Sequence, residues 1–92
     1  MIHQVVDKSR YNIPIFSDPR LHEVAWYATE DDAVLGVVIL DMVDLGYSWI
    51  ALTQSDQAPG YTAADMGSSL PTEGDATAAL RDAMRSNGRG RD

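Results

Sequence analysis

Alternation of apolar and polar residues predicts β-strands over the middle of the chain. The first alternating segment begins at His22 and carries aromatic and β-branched side chains, which favour a strand. A second segment, Val34 to Val43, is apolar on both faces for most of its length, which is typical of a strand covered on both sides. A third strand is predicted from about Tyr47 to Thr53 and a weaker fourth from Tyr61 to Ser68.

A helical period replaces the alternation near the C-terminus. Thr72 is a suitable N-cap residue, and the acids that follow it favour the first turn because they face the positive end of the helix dipole. Asn87 and Gly88 form a stop signal. The predicted apolar face of this helix consists of Ala76, Ala79, Leu80, Ala83 and Met84.

These elements predict one α+β domain, a three- to four-stranded antiparallel β-meander packed against one C-terminal helix. Its parts are an N-terminal arm (1–21), in which residues 2–6 can form a short strand, the meander (22–69), the helix (72–87) and a frayed tail (88–92). Gly36 lies inside the second strand, where it indicates a bulge or a close backbone approach.

The second predicted strand also bears on the oligomeric state. Both of its faces are apolar, whereas one helix covers only one face of a sheet. Either the N-terminal arm or a second copy of the chain must cover the other face. Soluble monomers rarely leave a large apolar patch open, so we expect a homodimer.

The charge distribution is more uneven than the net charge of −7 suggests. Residues 21–80 contain ten Asp and Glu residues and no Lys or Arg. Such a segment projects a negative potential. Two explanations remain open: the charge keeps the protein soluble, or it meets a basic partner, including one that normally holds nucleic acid.

The candidate contact residues follow from the predicted turns and strands. Acids at turns or strand ends are available to a partner, and tryptophan is enriched at protein interfaces. The candidates are Glu30, Asp31, Asp32, Asp41, Asp44 and Asp56, with Trp26 and Trp49 as aromatic anchors.

The sequence offers little for catalysis or cofactor binding. It has no cysteine, and His3 and His22 do not form a recognised ligand spacing. No G-x-S-x-G elbow and no glycine-rich phosphate loop are present. Turn chemistry explains the paired aspartates more simply than acid–base catalysis does. We therefore expect no enzyme activity, no cofactor and no metal.

The expected location is the cytoplasm. The longest apolar run, Val34 to Leu40, is far shorter than the ~20 residues that cross a bilayer. The first ten residues contain no apolar segment typical of a signal peptide.

Two resemblances extend these expectations. The meander followed by Thr72, Glu73, Ala76, Ala79 and Leu80 is similar in layout to AP2-like DNA-binding domains over about residues 22–86. In that family, however, the sheet carries basic residues to DNA, whereas these strands carry acids. Small size, acidity and the α+β pattern also resemble, at the level of class, accessory proteins of phages and mobile elements such as anti-CRISPR inhibitors.

The sequence thus predicts a non-enzymatic acidic interaction protein that binds a partner protein with a basic surface. One form of this prediction is that the protein inhibits nucleic-acid-handling machinery through its acidic surface. The alternative is an AP2-like nucleic-acid-binding module. Its basic contacts would be Arg81, Arg85, Arg89 and Arg91.

Overall fold

The strands form one antiparallel sheet in chain order, and a helix follows them. The computed structural model describes residues 2–6, 20–54 and 60–89, with only the backbone at 88 and 89. The elements are β1 (Ile2–Val5), β2 (Leu21–Thr29), β3 (Val34–Asp41), β4 (Tyr47–Gln54), β5 (Tyr61–Leu70) and α1 (Glu73–Arg89). The α+β meander with a C-terminal helix is confirmed, but the sheet has five strands rather than three to four.

The additional strand is β1, which pairs with the outer edge of β2. Ile2 lies opposite Thr29, and Val5 lies opposite Trp26. Half-buried Ile2 packs against the core on the helix side, whereas Val5 packs against the core on the other face. Two apolar residues give a weak local signal, so the pairing with β2 is what makes this segment a strand.

Helix α1 covers one face of the sheet. Its predicted apolar face is confirmed, since Ala76, Leu80, Ala83 and Met84 are buried and Ala79 is half-buried. A Cβ added at Gly36 would lie only 2.6 Å from Leu80 Cδ1 and 2.7 Å from Met84 Sδ. Gly36 is therefore a site where helix side chains pack closely on the strand, whereas the sequence pattern indicated a bulge or a close backbone approach.

The helix begins at the residue that the sequence indicates. The Asp75 N–H donates to Thr72 Oγ1 at 3.1 Å, and the Ala76 N–H donates to the Thr72 carbonyl at 3.2 Å. Thr72 is thus the N-cap, and Glu73 starts the first turn. The helix continues to Arg89, two residues past the predicted end.

The opposite face of the sheet is also buried. Leu35 and Val37 are 0% exposed and Ile39 is 2% exposed in a single chain, so β3 is covered on both sides as predicted. The expectation of an open apolar face, from which the homodimer was inferred, was therefore wrong. The homodimer itself stays a prediction that must rest on another surface.

Candidate protein-binding surface

The fold separates the predicted acidic residues into two groups. Because consecutive strands are antiparallel, the β2–β3 turn and the β3–β4 turn lie at opposite ends of β3. At about 3.3 Å per residue, this strand separates the two turns by roughly 20 Å or more. Glu30, Asp31 and Asp32 lie at one end, and Asp41 and Asp44 lie at the other. Asp56 is outside the described residues.

The β2–β3 turn uses one of its acids to shape the backbone. Asp31 Oδ1 accepts hydrogen bonds from Thr29 Oγ1 at 2.8 Å and from the Ala33 N–H at 3.1 Å. Asp32 has a φ of 59°, and its carbonyl accepts a 2.6 Å hydrogen bond from the Tyr61 hydroxyl. This side-chain bonding is the turn chemistry expected of aspartate.

Asp41 is the centre of the β3–β4 turn. Its Oδ1 accepts from the N–H groups of Val43 at 2.9 Å and Asp44 at 3.4 Å. Its Oδ2 forms a 2.9 Å ion pair with Arg20 Nη2. These bonds turn the chain away from the sheet, which is why β3 ends at Asp41 and not at Val43 as the periodicity predicts.

The same contacts set the electrostatics of Asp41. The hydrogen bond from the Val43 N–H lowers the pKa of Asp41 from its ordinary value, and Arg20 and the Asp44 N–H act in the same direction, whereas desolvation opposes them. The Asp41 carboxylate is therefore favoured in the folded chain. Its position makes it a structural residue of the turn.

Beyond Asp41, the turn exposes apolar residues whose exposure the sequence pattern does not predict. Met42 is 52% exposed, Val43 is 64% exposed and Leu45 is 66% exposed. The sequence pattern assigned Met42 and Val43 to the second strand. Asp41 was the sequence signal that the strand ends before Met42. It interrupts the apolar run, and aspartate often accepts hydrogen bonds from backbone N–H groups in turns.

The two tryptophans are core residues. Trp26 is 6% exposed and Trp49 is 9% exposed, and they belong to the cores on opposite faces of the sheet. Trp49 lies over β5, because a Cβ added at Gly67 would be 2.5 Å from the indole nitrogen. Neither indole offers a surface anchor in the folded chain.

The helix arginines that the structure describes have intramolecular partners. Arg81 lies over the Tyr27 ring, 5.6 Å from its centroid, and Arg85 forms a 3.1 Å ion pair with Asp82. Of Arg89 only the backbone is described, and Arg91 lies outside the described residues.

Within residues 2–6, 20–54 and 60–89, no group of three or more His, Cys, Asp or Glu side chains could hold a metal ion. No helix among the described residues is both long enough and apolar enough to cross a membrane.

Comparison of the chain with protein-family models, curated proteins and solved structures gives no significant match.

Proposed function

We propose that this chain is a non-enzymatic protein-binding module whose acidic surface meets a basic surface on a partner protein. The observation that carries the proposal is the absence of Lys and Arg from residues 21–80, a range that includes β2 to β5 and the first half of α1. Asp44, Glu73 and Asp75 are exposed within it. An excess of negative charge attracts a basic surface and speeds its association.

The end of the sheet that carries the β3–β4 turn supports the proposal best. Tyr47, which follows that turn, pairs with Leu70 at the end of β5, and α1 begins three residues after Leu70. The exposed carboxylates of Asp44 and of the first helical turn therefore belong to the same end of the molecule.

A basic surface that normally holds nucleic acid is one suitable target. Proteins that bind nucleic acid concentrate Lys and Arg to neutralise phosphates, and an acidic protein can occupy the same groove. We therefore propose inhibition of nucleic-acid-handling machinery by occupancy, in the cytoplasm. The homodimer remains a separate prediction.

The alternative, nucleic-acid binding through the helix arginines, has less support. Arg85 is paired with Asp82 and Arg81 stacks on Tyr27, so part of the basic charge is already engaged. The strands described by the structure carry no Lys or Arg with which to hold phosphates beside a stacking surface.

A binding measurement with defined probes tests the proposal. Fluorescence anisotropy with labelled decalysine should show salt-sensitive binding that weakens, with a shallower salt dependence, in Asp44→Asn/Glu73→Gln. The matched control is Asp65→Asn/Asp82→Asn, which removes the same charge from exposed positions on β5 and mid-helix. Equal weakening in both variants would show a diffuse charge effect and contradict a localised surface. Tight, salt-sensitive binding to labelled duplex or single-stranded DNA would favour the alternative.

A further inference from the structure

The β3–β4 turn carries an exposed apolar cluster, which we call the apolar tip and define as Met42, Val43 and Leu45. More than half of the surface of each of these residues is accessible. Three large apolar residues within four positions differ from single exposed residues, which are normal on protein surfaces. The cluster therefore needs an explanation in terms of contacts outside the chain.

The backbone beneath the apolar tip is fixed. The Leu45 N–H donates to the Asp41 carbonyl at 2.7 Å, the Asp41 N–H donates to the Gly46 carbonyl at 3.0 Å, and the Met42 N–H donates to the Arg20 carbonyl at 2.7 Å. The Asp41 carboxylate adds the bonds described above. A surface held in this way loses little conformational entropy when it binds.

Leu45 has an unfavourable backbone conformation for its side chain. Its φ is 57°, a left-handed value that Gly and Asn adopt more easily than Leu. The residue is 66% exposed, so burial within the fold does not compensate for this cost. Folding alone would favour Gly or Asn, and strain of this kind is concentrated at functional sites.

The surrounding charge indicates the kind of partner. Asp44 lies between Val43 and Leu45, Glu73 and Asp75 belong to the same end of the molecule, and Arg20 at this turn is paired with Asp41. A second copy docked through this end would bring these carboxylates together, which like-charge repulsion disfavours. An apolar pocket bordered by Lys or Arg would complement both the apolar tip and the carboxylates around it.

We propose that the apolar tip inserts into an apolar pocket with a basic rim on the partner protein. This inference rests on the proposed function and makes it specific: the carboxylates guide the approach, and Met42, Val43 and Leu45 supply the buried contact. Leu45 is the central specificity residue of this surface.

Two synthetic probes separate the inference from the proposed function. One is decalysine, which offers charge alone. The other is an amphipathic Lys/Leu helix, which offers an apolar face bordered by lysines. The test variant is Leu45→Asn, and the matched control is Met66→Asn, since Met66 is 63% exposed on β5. Urea unfolding first establishes that both variants fold.

Leu45→Asn should weaken binding of the amphipathic helix about tenfold, as expected for the loss of one buried leucine contact, and leave decalysine binding unchanged. Met66→Asn should alter neither. In NMR titrations with the amphipathic helix, the largest shift changes should fall on Met42–Leu45.

Three other outcomes would contradict the inference, and they differ in what they imply for the proposed function. If both probes bind and Leu45→Asn changes neither affinity, the apolar tip is not a docking element, although the proposed function survives. If neither probe binds, both proposals fail. If light scattering shows a dimer that Leu45→Asn dissociates, the tip contacts a second copy and the proposed partner pocket is wrong.

Discussion

Asp41 shows how one side chain determines the end of a strand. Its carboxylate bonds the N–H groups of Val43 and Asp44 and pairs with Arg20. These contacts form the turn at which β3 ends. Because Asp41 makes these contacts as a carboxylate, the stability of the fold depends on the charge of this one side chain.

Replacing Asp41 by Asn should remove an acid-sensitive part of the stability. The pKa of Asp41 is lowered in the folded chain from 3.8, so its charge stabilises the fold above that pH, and the contribution is lost as the pH falls through the folded value. Urea unfolding at neutral pH should find Asp41→Asn less stable than the natural protein. The difference in the free energy of unfolding between the two proteins should narrow below about pH 4.

A variant of the same turn provides the control for Asp41. Asp44→Asn removes a neighbouring carboxylate and retains the bonds that Asp41 accepts. A stability difference between Asp41→Asn and the natural protein that is constant from neutral to strongly acidic pH would show that the Asp41 charge does not contribute.

Leu45 is the second residue whose role depends on local geometry. Asn tolerates a φ of 57° better than Leu, and little buried surface is lost because the side chain is mostly exposed. Leu45→Asn should therefore raise the free energy of unfolding, by up to ~1 kcal/mol. Urea denaturation measures the change, and a clear loss of stability would mean that Leu45 contributes to the core after all.

At the scale of the elements, the fold depends on how α1 begins and how closely it packs. Thr72 caps the first turn, and Gly36 leaves space for Leu80 and Met84 against β3. Each feature can be changed by a single substitution with a matched control.

Thr72→Ala should lower the free energy of unfolding by about 1 kcal/mol, because Thr72 Oγ1 accepts the Asp75 N–H. The control is Thr77→Ala within the helix, where the hydroxyl donates to the Glu73 carbonyl. Since alanine has the higher helix propensity, this control should be neutral or slightly stabilising. Equal urea midpoints for Thr72→Ala and the natural protein would contradict the capping role.

Gly36→Ala should destabilise the protein by about 1–3 kcal/mol, since the new methyl group would overlap Leu80 and Met84 in the buried core. Gly46→Ala is the control, because the nearest atom to its added Cβ is 3.8 Å away. Thermal or urea unfolding of both variants measures the difference. A stable Gly36→Ala protein would mean that α1 can move away from β3 at little cost.

At the scale of the whole molecule, both apolar faces of β3 are covered within a single chain. A chain of 92 residues has little apolar surface to spare, and here both cores form within one chain. Light scattering over a range of concentrations tests the remaining dimer prediction. A mass near twice 10.1 kDa would confirm the homodimer and place its contact on another surface, since the second face of β3 is buried within one chain, whereas a constant mass of 10.1 kDa would contradict the prediction.

The sequence predicted the elements that local periodicity determines. The two apolar faces of β3, the Thr72 cap and the apolar face of α1 could be predicted, because each depends on neighbours within a few residues. The alternation around Trp26 was predicted only in part, since an irregularity between Glu23 and Ala25 places Val24 on the helix side with Tyr27. The acid-rich range 21–80 is likewise visible without a structure. The identities of these residues limit which segments form strands and which form the helix.

Only the tertiary structure decided which of those side chains reach the surface. It added β1 to the edge of β2, buried Trp26 and Trp49 on opposite faces, and placed the two acidic turns at opposite ends of β3. It also exposed Met42 and Val43 beyond the point where Asp41 turns the chain. Exposure depends on packing between segments that are distant in sequence, and periodicity within one segment carries no information about that packing.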